Sequence, residues 1–213
     1  MQYHEGQRAL QVQFDSVRLA DRLASVVCRP TLNDSDRAFI ETRPMFFLAT
    51  ADSAGRPDCS YKGGQPGFVR VLNAQTLEFP DYDGNGMFRS LGNLVLNHAV
   101  GLLFIDFASP RRLRINGHAQ VLRTPDVLAE FHGAQLIVRV TVSDVFPNCP
   151  RYIHAQDGAS ISTDAPTPGH TPAAPAWKSM DAFRDYLPGA PNEPTAPPAG
   201  SPSRVAGPRH HDE

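Results

Sequence analysis

Cysteine, tryptophan and long apolar runs are scarce in this 213-residue chain, which has three cysteines and one tryptophan. Cys28, Cys59 and Cys149 are an odd, scattered set without CxxC spacing; they argue against a zinc ribbon or a paired redox centre and read as reduced thiols, Cys149 as a small packing residue. The longest apolar stretches, such as Val100 to Ile105, fall far short of the roughly 20 residues of a membrane helix. The opening MQYHEGQRAL has no apolar signal core, so a cytoplasmic protein is expected. Charge of one sign is also lacking: 20 basic and 22 acidic side chains give −2, which argues against nucleic acid or an anionic membrane and for a small-molecule partner. There is no GxGxxG, GxSxG or HExxH string, which argues against a built-in Rossmann domain, a nucleophile elbow and a zincin centre. His98 and His118 lack ligand spacing, and the cluster from Arg209 to Asp212 promises no more than adventitious metal binding.

What is present suffices for one core: 41% of residues are apolar, and the length fits a single domain with extensions. Leu10, Phe14, Val17, Leu19 and Leu23 recur at three- and four-residue spacing, which predicts an amphipathic bracing helix over 6–25. A second helix is expected from Asp34 to before Arg43, since Pro44 disfavours helix in the residue ahead of it; the Asn33-Asp34-Ser35 sequon reads as its cap. From Met45 onward the chain is β-rich, with strands expected at 45–50, 67–72, 76–79, 100–107, 113–122 and 135–142, and helices near 87–96 and 125–131. Closely spaced strands with tight turns suggest a barrel, because closure removes exposed edges. Asn116-Gly117 reads either as a hairpin turn or as a bulge with close backbone approach. More than half of the twenty prolines lie between Pro166 and Pro208, a composition too poor in apolar surface to order itself, although Trp177 to Leu187 has helical spacing and is expected to dock as a short helix. The division is thus an N-terminal helical extension over 1–42, a β domain over 43–155 and a Pro-rich tail over 156–213.

The chemistry concentrates between Gly67 and Phe107. A strand bearing Arg70 leads through a second strand into the loop Asp81-Tyr82-Asp83-Gly84-Asn85-Gly86, which opens a helix carrying Arg89 and Ser90. Free N–H groups at a helix start, joined by arginine and hydroxyl donors, suit a phosphate. Taken singly, each arginine is as well explained by solvation or ion pairing, and the loop by ordinary turn chemistry.

From about Arg43 to Ile153 the chain resembles the pyridoxamine 5'-phosphate oxidase-like family of FMN-binding split barrels. The strings that carry the resemblance are Phe47-Leu-Ala-Thr-Ala51, Gly55-Arg-Pro-Asp58, Gly64-Gln-Pro-Gly-Phe-Val-Arg-Val71, Met87-Phe-Arg-Ser-Leu-Gly-Asn93, Arg112-Leu-Arg-Ile-Asn-Gly-His-Ala119 and Asn148-Cys-Pro-Arg-Tyr-Ile153. The resemblance implies a mainly β fold with flanking helices, a six-stranded split β-barrel that forms a homodimer and binds FMN in clefts shared by both subunits. It implies flavin contacts from Arg70, Val71 and Leu72, and phosphate contacts from the stretch containing Asp81, Tyr82, Asn85, Met87, Arg89 and Ser90. Ser90 departs from the lysine more common there, and the tail does not match the substrate segment of the genuine oxidases. The expected function is an FMN-dependent oxidoreductase acting on a small molecule, with no catalytic acid, base or nucleophile evident. The alternatives are a reductase using deazaflavin F420 and a non-catalytic flavin- or haem-binding protein.

Overall fold

Alternation of apolar and polar residues produces seven strands among the described residues, 2–154 and 173–190 of the computed structural model. They are β1 (Met45–Ala51), β2 (Pro57–Gly63), β3 (Arg70–Asn73), β4 (Thr76–Tyr82), β5 (Ala99–Asp106), β6 (Arg111–Leu122) and β7 (Ala134–Asn148). All pairings are antiparallel, in the order β2-β1-β5-β6-β7-β4-β3. The strand absent from the sequence-based expectation is β2. It is a polar edge strand beginning at a proline, and its PDCSYKG sequence lacks the apolar alternation that identifies half-buried strands.

The sheet cannot be flat. Strands β1 and β4 stand four steps apart in the order, which would separate them by about 19 Å in a planar sheet. Yet the Phe46 ring of β1 lies 4.9 Å from that of Phe79 in β4, edge to face, and 5.0 Å from Phe104 of β5. All three rings are fully buried, so the sheet rolls up around them into a split barrel. On the far wall Gly117 lets the ladder bend: the pairing slips between Asn116 and Gly117, leaving Ser143 of β7 without an opposite residue. A Cβ on Gly117 would stand 2.2 Å from the Thr141 carbonyl oxygen. The pair is a bulge with close backbone approach, and not a hairpin.

The helices cover what the barrel leaves open. Helix α3 (Asp34–Glu41) is capped reciprocally by Asn33 and Asp36 and lies along the exposed edge of β3. There Glu41 accepts the Val71 N–H at 3.1 Å and Arg37 donates to the Val71 carbonyl, so two side chains satisfy an edge that would otherwise be open to strand addition. The expected helix over 6–25 is two helices, α1 (Glu5–Gln13) and α2 (Val17–Val27). Asp15 turns left-handed at φ 47° between them, and Ser16 begins the second helix. Arg8 to Asp21 and Tyr3 to the Ala20 carbonyl tie the pair together. Helix α4 (Arg89–Leu96) packs Leu91 and Leu94 inward, and α5 (Pro125–Ala129) leads into β7.

The segment 173–190 straps across α2. Arg22 Nε donates to the Ala182 carbonyl at 2.9 Å, Arg18 donates to the Asp185 carbonyl at 3.0 Å, and both guanidiniums face the Tyr186 ring. Phe183 is buried under the Trp177 ring. The short helix expected over Trp177 to Leu187 is instead two single 3-10 turns, Ala176–Ser179 and Arg184–Tyr186. The remainder of the Pro-rich tail lies outside the described residues. No helix among the described residues is long and apolar enough to cross a membrane.

Two outcomes follow from this packing. Gly117→Ala is expected to destabilise the fold by about 1–3 kcal/mol, the usual range for overpacking; an unchanged urea midpoint would show that the bulge tolerates a methyl group. A chain ending near residue 160 keeps the barrel's circular dichroism signature but melts at a lower temperature, because it loses the strap on α2. An unaltered melting curve would mean that the strap adds nothing.

Candidate functional site

Strand β3 is short, and its register with β4 ends at the pair Arg70 and Glu78. Pro80, Asp81 and Tyr82 therefore run past it with their outer edge unpaired, and Pro80 fits there because it has no N–H to satisfy. Facing this edge across the slit is β2, which pairs only with β1. One ion pair spans the gap, Lys62 Nζ to Asp81 Oδ1 at 2.9 Å, with both side chains largely buried.

A cleft of about 920 Å³ opens along the slit, within the size range of small-molecule sites. One wall is β2, contributing Asp58, Ser60, Tyr61 and Lys62. The other is the end of β4 and the loop 83–88. That loop is shaped by its own polar atoms: Asn85 Oδ1 accepts the Met87 N–H at 3.0 Å, Gly86 is left-handed at φ 72°, and Gln135 Nε2 donates to Asp83 at 3.0 Å. Phe88 then adopts φ 46°, a left-handed conformation that a bulky side chain rarely takes, and α4 begins at Arg89 with no side-chain cap on its first turn. Asn93 anchors the helix through a 3.0 Å hydrogen bond to Thr50 of β1.

At the start of α4, Arg89 Nε donates to Asp58 Oδ1 at 3.1 Å, while Ser90 Oγ lies 2.8 Å from Asp58 Oδ2 and 2.9 Å from Ser60 Oγ. Having one proton, Ser90 donates to the carboxylate and accepts from Ser60. The hydrogen bonds from Ser90 and Arg89 hold the Asp58 carboxyl below the usual carboxylate range. Arg89 is 65% exposed and Asp58 only 14%, so the arginine is the movable arm and the carboxylate the fixed wall.

Of the residues expected from sequence, Asp81, Tyr82, Asn85, Met87, Arg89 and Ser90 all line this cleft. Arg70, Val71 and Leu72 do not line it. Arg70 is held elsewhere, donating to Glu130 Oε2 at 3.1 Å and to the Glu130 carbonyl at 2.6 Å, with its guanidinium 3.9 Å from the Phe131 ring centroid. Val71 is buried in the core and Leu72 is exposed at the far edge. The expectation that Arg70 and Arg89 share one site is not met within the chain: β3 and β2 are opposite ends of the sheet, and the cleft takes its strand wall from β2. Asp58, Ser60 and Lys62 line the cleft but were given no site role from the sequence, Asp58 entering only as the end of the Gly55–Asp58 string; all three belong to that unrecognised strand. Pro57, two residues past the turn closed by the Gly55 N–H on the Asp52 carbonyl, was the signal for an edge strand.

The donor set suits a phosphorylated planar ligand: one guanidinium, one hydroxyl and an uncapped helix start at one end, with Tyr61 and Tyr82 along the walls. Among the described residues no cluster of His, Cys, Asp and Glu could hold a metal ion.

Solved structures with a similar chain path include HupZ of Group A Streptococcus, 16% identical, covering 55% of this chain and 93% of that one, with a TM-score of 0.44. HutZ, the haem storage protein of Vibrio cholerae, is 20% identical over 53% of this chain and 90% of that one, TM-score 0.39. An FMN-binding protein of Syntrophomonas wolfei is 10% identical over 68% and 96%, TM-score 0.42. No curated protein sequence matches the chain. The sequence model of pyridoxamine 5'-phosphate oxidase matches residues 32–150, more than half of the chain and all seven strands; the chain belongs to the pyridoxamine 5'-phosphate oxidase family.

Proposed function

We propose that the cleft binds FMN and that the protein is a flavin-dependent oxidoreductase acting on a small molecule. The observation that carries this reading is the convergence of Arg89, Ser90 and the uncapped first turn of α4 at one end of a cleft walled by two strands. These groups would hold the phosphate by charge-assisted hydrogen bonds. Tyr61, Tyr82 and the β2 backbone would flank the ring, and Lys62, fixed by Asp81, would offer an N–H donor at the slit. Bound flavin supplies the hydride and electron transfer; the chain's residues bind it, orient it and limit water access. Deazaflavin F420 and haem are the competing occupants, and mass spectrometry of ligand released by heat separates the three.

The reading includes a homodimer. Tyr61, Met87 and Phe88 are exposed along the cleft, and Val95 and Leu96 are exposed at the far end of α4; exposed apolar groups of this kind mark an interface. Light scattering is expected to give twice the chain mass, and a monomer retaining bound FMN would sink the shared-cleft arrangement.

Arginine replacements test the phosphate end. Arg89→Ala is expected to weaken FMN binding by roughly ten- to a hundredfold, the value of a charge-assisted hydrogen bond or two. Riboflavin, which lacks the phosphate, should be affected little. Arg70→Ala, in a side chain committed to Glu130, should leave both affinities within about threefold. Equal losses for FMN and riboflavin in Arg89→Ala would remove Arg89 from the phosphate site, and a large loss in Arg70→Ala would show that β3 reaches the ligand in the assembled protein.

A further inference from the structure

Every cation of the cleft already faces a carboxylate of the same chain. Lys62 is paired with Asp81 at 2.9 Å and Arg89 with Asp58 at 3.1 Å. Counting Asp83 with these two acids against the two cations, the cleft lining carries one net negative charge. Asp58 stands out because its two oxygens engage two different donors of the α4 start, Arg89 Nε and Ser90 Oγ, as two oxygens of a phosphate would. Its side chain is fixed on the β2 wall, a further hydroxyl from Ser60 closes the network, and the surrounding donors keep it ionised at neutral pH.

We infer that Asp58 is an intramolecular competitor for the ligand's phosphate: it occupies the two side-chain donors of the α4 start, Arg89 Nε and Ser90 Oγ, so a phosphorylated ligand must draw them away from it and tolerate a carboxylate alongside. This rests on the cleft being the ligand site. An affinity measured against a site that is mostly self-occupied is reduced by the fraction of time the donors are free. Like charges brought close in a partly buried site add to that reduction. A ligand without a phosphate meets neither obstacle. Asp58 is therefore a specificity-determining residue that narrows the preference for phosphorylated over unphosphorylated ligand and leaves the phosphorylated one exchangeable.

The test is Asp58→Asn, which keeps the shape and one acceptor oxygen but loses the charge. FMN should bind about tenfold more tightly than to the unaltered protein, while riboflavin changes by less than about twofold. Inorganic phosphate, at ionic strength matched with potassium chloride, should raise the melting temperature of the variant more than that of the unaltered protein. Asp58→Ser provides the same loss of charge by a different side chain should the first variant fold poorly by circular dichroism. Weaker or unchanged FMN binding in the folded variants overturns the inference and makes Asp58 a positioning residue for Arg89. Equal tightening for FMN and riboflavin overturns it as well. If neither flavin binds either protein, the proposed function fails, and the phosphate melting shifts still decide the competition: a larger shift in the variant upholds it, an equal one rejects it.

Discussion

The contact of Phe46 with Phe79 and Phe104 is the constraint from which the rest of the architecture follows. Bringing rings from β1 and β4 within 5 Å forces a seven-stranded sheet to roll up, and burial of three phenylalanines supplies a favourable term of several kcal/mol. But ring packing does not align backbones, so the roll ends without a ladder between β2 and β4. The slit is what remains where side-chain packing closes the barrel and hydrogen bonding does not. Its lips are unpaired strand edges, which is why polar and charged side chains collect there and why a cleft of about 920 Å³ runs along it.

The two ends of the sheet solve their edge problem differently. At β3 the edge is neutralised from within, by Glu41 and Arg37 of α3 taking the Val71 N–H and carbonyl. Strand β2 has no such clasp and instead presents Asp58, Ser60 and Lys62 toward the opposing lip. The protected edge and the cleft thus lie at opposite ends of one sheet. Arg70 sits at the protected end with Glu130, while Arg89 sits at the open end with Asp58.

Much of this was legible in the sequence. The barrel strands from Met45 to Asn148 follow from apolar alternation and turn residues, and the loop and helix start from Asp81 to Ser90 follow from their glycines, asparagine and donor residues. What escaped has a common cause. A polar edge strand makes few core contacts, so Pro57–Gly63 left no apolar signature, and the cleft residues it carries went unseen with it. Arg70 was assigned to the flavin by the family resemblance, for a cleft shared by two subunits; within one chain its strand joins the end of the sheet opposite β2, a placement that the sequence of a strand does not reveal. The break at Asp15 in the N-terminal helix is set by a left-handed backbone that periodicity does not register. Likewise Trp177 to Leu187 has helical spacing, but its carbonyls are drawn toward Arg18 and Arg22 of α2, which leaves two tight turns in place of one helix.

That strap bears on the order in which the molecule is completed. Arg22 and Ala182 are 160 residues apart in sequence, and Arg18 and Asp185 are 167 apart. Closing loops of such length is entropically slow, so these contacts belong to the late stage of folding. During synthesis α1 and α2 emerge early, yet the surface of α2 that receives Phe183 and Tyr186 waits uncovered until nearly the whole barrel has left the ribosome. Helices made before the barrel are thus finished after it, and the interval between is when this surface is open to chaperones and to misassociation.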